Sequence, residues 1–130
     1  MSHDSHIRVQ YKAAFVTLAD PSNVLVPFYK KLFGQAPALE LPDVYAEFKL
    51  AGLRLGIFKP KASHCPEFEG RSSGGMSLCL EVADLEAAIA YLTQLGYPPP
   101  GAISHASHGR EIYAYDPLGN RLILHEASAL

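Results

Sequence analysis

Cysteine is scarce in this chain of 130 residues: only Cys65 and Cys79 occur. Two thiols cannot build a disulfide framework, and a reducing, cytoplasmic setting is the expectation. Long apolar runs are missing as well. No window of about eighteen apolar residues exists, which excludes a helical membrane span, so no membrane partner is expected. The first residues, Met1-Ser2-His3-Asp4-Ser5-His6, are polar and lack the hydrophobic stretch of a secretion signal. Residues 1–8 are expected to form a flexible terminus. A basic surplus is absent too. The net charge is −2, so nucleic acid is not an expected partner. No glycine-rich phosphate loop, serine nucleophile elbow or CxxC pair occurs.

Against these absences, hydrophobic residues make up 48% of the chain and charged residues 18%. That is apolar enough for one packed domain. Histidine is plentiful, with six residues, and raises the question of a metal. His105-x-x-His108, with His64-Cys65 upstream, has the spacing of a zinc-site fragment. Without fixed partners the plainer reading is solvated loop histidines. His3 and His6 fall in the terminus.

A repeat organises the chain. Leu18-Ala19-Asp20 followed by Tyr29-Lys30-Lys31-Leu32-Phe33-Gly34 resembles Val82-Ala83-Asp84 followed by Tyr91-Leu92-Thr93-Gln94-Leu95-Gly96. Further on, the segment around Arg54 resembles the one around Arg121. The offsets from Asp20 to Asp84, Tyr29 to Tyr91 and Arg54 to Arg121 are all near half the chain length. Such constancy argues for two copies of one unit.

Each unit opens on a strand-like run, Phe15-Val16-Thr17-Leu18 or Met76 to Val82. A helix follows and is closed by Gly34 or Gly96. In the second copy Asp84 is placed to cap the helix, and Leu85, Ala88, Ile89, Leu92 and Leu95 form one apolar face. Pro27 confines the regular part of the first helix to about Pro27–Phe33. Short strands then follow at Ala38–Leu41, Tyr45–Leu50 and Leu53–Lys59, and again at Ala102–His105, Glu111–Tyr115 and Arg121–Glu126. The expected fold is α+β, two βαβββ modules at residues 9–59 and 76–130, joined by a Pro/Ser/Gly-rich linker at residues 60–75. Gly74-Gly75 reads as the linker's end.

With an Asp-initiated helix running through Phe28-Tyr29 to Gly34 and the late motif Tyr115-Asp116-Pro117-Leu118-Gly119-Asn120, the chain resembles the vicinal oxygen chelate superfamily. That superfamily contains glyoxalase I, extradiol dioxygenases, bleomycin-resistance proteins and fosfomycin enzymes. The resemblance spans nearly the whole sequence. The Asp-Pro-x-Gly-Asn motif itself is a turn that places the last strand, not a chemical group. The resemblance implies two half-cups of sheet facing each other, with helices on the convex side, and a homodimer, in some members with swapped modules. It also implies metal ligands, usually His, Glu or Gln, on the first and last strand of each module. Those four positions fall here on Ala13, Gly56, Ser77 and Ile123, which form no ligand set for a divalent cation. The expectation is therefore no metal cofactor and a small-molecule binding protein like the bleomycin-resistance branch. The alternatives are a lyase or dioxygenase using other ligands such as His125 and Glu81, and an interaction module whose cup is filled.

Strand alternation assigns the cup lining. Phe15 and Thr17, Arg54 and Phe58, Ser77, Cys79 and Glu81, Tyr113 and Tyr115, and Arg121, Ile123 and His125 are the expected ligand-binding residues. Arg54 and Arg121 suit an anionic group, or else pair with Glu81 or reach solvent. Cys79 and His125 are candidates for a thiolate–imidazolium pair. The plainer reading is a small buried thiol beside a hydrogen-bonded histidine. Glu111 and Glu126 read as edge or surface charges.

Overall fold

The computed structural model describes residue 10, residues 12–68 and residues 76–128. The expected flexible terminus with His3 and His6, and the linker end at Gly74-Gly75, lie outside the described residues.

The first module runs β1 (Val16–Ala19), α1 (Leu25–Phe33), β2 (Leu39–Leu41), β3 (Tyr45–Leu50) and β4 (Leu53–Phe58). The second runs β5 (Leu78–Glu81), α2 (Leu85–Leu95), β6 (Ser104–Ala106), β7 (Gly109–Tyr115) and β8 (Arg121–Ala127). Each module makes one four-stranded sheet, ordered β1-β4-β3-β2 and β5-β8-β7-β6. In both, the first and last strands pair in parallel and the others antiparallel. A parallel pair cannot be closed by a tight turn, so the helix and the two middle strands form the crossover. The α+β reading and the two βαβββ modules hold. A 3-10 helix at Ala62–Phe68 occupies part of the predicted linker.

Alternation separates the faces as the sequence suggested. Leu55 and Ile57 on β4, and Leu122 and Leu124 on β8, are buried against the helices with Leu25, Phe28, Leu85 and Leu92. Their neighbours in the strands point to the concave side.

α1 begins two residues earlier than expected. Pro27 sits in its first turn, where the missing N–H costs nothing. Its N-terminal amides are held from a distance: buried Asp20 accepts from Ser22, Val24 and Leu25 at 3.2, 3.2 and 2.8 Å. In α2, Asp84 is the cap itself and accepts from the Ala87 amide at 3.0 Å. Glu126 is not merely a surface charge. Its carboxylate accepts from the Leu85 amide at 3.0 Å and from Arg110.

The modules meet through their helices and the Asp116 turn. The Tyr29 hydroxyl donates to Asp116 Oδ2 at 2.7 Å in the interior. Asp116 also accepts from the Leu118 and Asn120 amides and from the Asn120 side chain. Burial, reinforced by Asp116, pushes the Tyr29 phenol far above its ordinary range. Phe28 meets Tyr97 edge-on, with centroids 5.2 Å apart, and the Tyr91 hydroxyl donates to the Lys31 carbonyl at 2.8 Å. Among the described residues no helix is long and apolar enough to cross a membrane.

Candidate functional site

The concave face of the first module is built around an arginine and a glycine on β4. Gly56 is buried and pairs with Thr17 on β1 and Glu47 on β3. A Cβ at residue 56 would stand 2.6 Å from the Tyr45 hydroxyl. The phenol thus takes the space a ligand side chain from this position would need. It donates to Glu47 at 2.7 Å and is pushed up to about 12, by burial first and then by Glu47. The other oxygen of Glu47 meets Arg54 at 3.3 Å, and the Arg54 guanidinium lies 4.6 Å over the centre of the Phe15 ring. Phe15 is 45% exposed. Stacked and paired in this way, a guanidinium keeps an edge available to an anion.

The second module repeats the scheme with different residues. Arg121, at the place equivalent to Arg54, lies 6.0 Å over the Tyr113 ring and donates to the Ser77 hydroxyl at 2.9 Å. It also donates to the Met76 carbonyl at 3.3 Å. Cys79 and Ile123 are a parallel register pair, as are Glu81 and His125. Tyr113 pairs with Ile123, Glu111 with His125 and Tyr115 with Arg121, which puts all of them on the concave face.

Both ring nitrogens of His125 meet groups other than Cys79. Its Nδ1 lies 2.8 and 2.9 Å from the two oxygens of Glu81, and its Nε2 lies 3.1 Å from Nδ1 of His108. Cys79 is a free, exposed thiol, not the small buried one expected from the sequence. The thiolate–imidazolium pair therefore has no geometric support. The sequence had grouped His108 with His105. The turn separates them: His105 pairs across to Arg110 on β6–β7, while His108 turns to His125. His64 and Cys65 sit in the 3-10 helix, with Cys65 Sγ 3.9 Å from the Pro60 carbonyl. His108 is the residue beside the site that sequence reasoning left as a solvated loop histidine. Its signal lay in the hairpin, since a two-residue turn before Gly109 brings it back over β8.

The four positions at which the superfamily carries ligands do not fit a divalent cation. Ala13 precedes β1 and is exposed, Tyr45 fills the space over Gly56, Ser77 is bonded to Arg121, and Ile123 is apolar.

A cleft of about 320 Å³ lies elsewhere in the first module, between α1 and the β2–β3 turn. Asp20, Lys30, Asp43, Val44 and Lys59 border it, and Phe58 is the one expected site residue on its wall. Asn23 donates to Asp43 across it at 3.1 Å.

No protein-family model and no curated protein matches the sequence. Solved structures match the fold. A glyoxalase/bleomycin resistance protein from Catenulispora acidiphila DSM 44928 superposes with a TM-score of 0.64 at 22% identity, over 88% of this chain and 97% of its own. A lactoylglutathione lyase from Agrobacterium tumefaciens gives 0.66 at 21%, over 90% and 95%. The fosfomycin resistance protein FosX from Listeria monocytogenes gives 0.68 at 18%, over 93% and 94%. At these identities the likeness speaks for architecture alone. With its paired βαβββ modules and outward helices, the chain has the fold of the vicinal oxygen chelate superfamily.

Proposed function

We propose that this chain is a small-molecule binding protein, similar to the bleomycin-resistance branch, whose concave faces take a planar anionic ligand without a metal at the four superfamily positions. The observation that carries the reading is the Tyr45–Gly56–Arg54 arrangement. A phenol occupies the place of a ligand side chain, and a guanidinium on an aromatic platform stands beside it. Arg121 over Tyr113 supplies a second cation in the other module. Phe15, Cys79 and Tyr113 are exposed, which favours an open face over the filled cup of an interaction module. A second copy of the chain closing over these faces as a homodimer, in the cytosol where both thiols stay reduced, completes the proposal.

The test is a thermal-shift series with aromatic carboxylates and phosphonates. A ligand at a hundred times its Kd stabilises the folded state by about 2.7 kcal/mol. Arg54→Ala and Arg121→Ala should each abolish most of the shift. A series in which no anion raises Tm, or in which both variants respond like the parent, overturns the reading. Sedimentation of the free protein checks the dimer. The lyase or dioxygenase alternative, with Glu81 and His125 as joint metal ligands, is weakened by geometry, because Glu81 binds the Nδ1 edge of the ring and leaves only Nε2 to coordinate.

A further inference from the structure

The Glu81–His125–His108 chain is not used by the ligand reading, and its geometry has a chemistry of its own. His125 and Glu81 face each other across the parallel β5–β8 pair, so neither is a loop residue. The carboxylate accepts the Nδ1 proton of His125 through both oxygens. That hydrogen bond selects one tautomer of the neutral ring, with the lone pair on Nε2. The lone pair is aimed at Nδ1 of His108, 3.1 Å away, and the two rings are inclined by 30°.

The approach is held by the backbone. Gly109 has φ 146°, a conformation that side-chain-bearing residues rarely adopt. A Cβ there would also stand 3.0 Å from His125 Nε2. The turn carrying His108 is tied to the end of β8, where the Ser128 amide donates to the His108 carbonyl and the Ser128 hydroxyl to the Ser107 carbonyl. Arg110, the adjacent cation, points to the other face and is engaged by Glu86 and Glu126. His108 is exposed, so the pair is open to solvent.

We propose that His108 Nδ1 and His125 Nε2 form a binding site for a zinc-like divalent cation at the rim of the second module, with Glu81 as the residue that orients His125. Two nitrogens held about 2.0–2.1 Å from a tetrahedral ion stand roughly 3.3 Å apart, close to the separation seen here. Imidazole pairs suit zinc, nickel and copper, and a carboxylate on the far nitrogen raises ligand basicity and fixes the ring. On binding, the N–H···N bond between the rings is replaced by two nitrogen–metal bonds. The His108 proton moves from Nδ1 to Nε2, so both rings stay neutral and no net proton is released. Water fills the remaining positions.

Zinc titration by calorimetry, on chain stripped with chelator and free of any tag, tests the site. The expected result is one zinc ion per chain in a background carrying His3→Ala, His6→Ala and His64→Ala. His108→Ala should weaken that binding at least tenfold, and Glu81→Gln by roughly 10- to 100-fold. Since His108 is exposed, its replacement leaves folding out of the question, and the circular dichroism spectrum should be unchanged. Loss of all zinc binding in the triple-alanine background overturns the proposal, and so does equal affinity in His108→Ala. The arginine variants should bind zinc like the parent, so this test and the anion test fail independently.

Discussion

Helix α1 draws its N-terminal hydrogen bonds from one buried aspartate four residues before its cap, while α2 divides the same task between Asp84 and Glu126 of the distant β8. The two modules share strand order, register type and helix position, yet they solve the same local problem with different chemistry. Their concave faces diverge in the same way. The first carries Phe15, Tyr45 and a tyrosine-filled glycine; the second carries Cys79, Glu81 and a histidine pair. Topology is set by the apolar strand positions, which are common to both copies. The polar groups around them are free to differ, and it is they that decide what each face can bind.

The largest difference between the modules is at the turn before the last strand. In the first, Ala51-Gly52 needs no side-chain acceptor. In the second, Asp116 is 3% exposed and gathers two amides, the Asn120 side chain and Tyr29 of the other module. Asp116→Ala strands four donors at once, the buried Tyr29 hydroxyl and three part-buried groups, and should cost about 3 kcal/mol in urea denaturation. Tyr29→Phe removes only the bond between modules and should cost about 1–2 kcal/mol. If the two variants lose the same amount, Asp116 matters only as a link between modules and not as the organiser of its turn.

A second comparison sets Asp20→Ala against Asp84→Ala. Asp20 is buried with three amides in reach, so its loss should cost about 2 kcal/mol. Asp84 is exposed with one amide and a neighbour, Glu126, serving the same helix end. About 0.5–1 kcal/mol is expected there. Equal losses in thermal or urea unfolding would show that burial of the first cap adds nothing.

Much of this was legible in the sequence. The repeat, the glycine stops at Gly34 and Gly96, and the inward alternation of Leu55, Ile57, Leu122 and Leu124 follow from local patterns, and the structure keeps them. The partners of polar residues were not legible. Glu126 looked like an edge charge because its amide partner, Leu85, is 41 residues away. His108 looked like half of a His105 pair because spacing along a chain says nothing about which side of a turn a ring leaves from. Tyr45 filling the space over Gly56 depends on a cross-strand neighbour, which only the register supplies. Local apolar pattern reaches the sheet; it does not reach hydrogen bonds that close through long loops.

The smallest expected effect concerns acid. Glu126 is held below the usual carboxylate range by the Leu85 amide first and then by Arg110. Glu86 is lowered from 4.5 to about 2, chiefly by its bonds to Arg110. Both carboxyls therefore release their proton more readily in the folded chain than in the unfolded one. Their contribution is complete above the ordinary value of 4.5 and is lost as pH falls below it, for Glu86 towards about 2. Arg110 keeps its charge throughout, so the titration belongs to the acids alone. The side chain of Glu86 is 64% exposed, and salt should weaken its share of the triad more than that of Glu126. Glu126→Gln should therefore be less stable than the parent at pH 6, and the gap should narrow as pH is lowered from 5 to 3. Measured by urea midpoints across that range, a gap that stays constant would mean that β8 holds α2 through packing alone, and the contrast between the two helix N-termini would lose its electrostatic half.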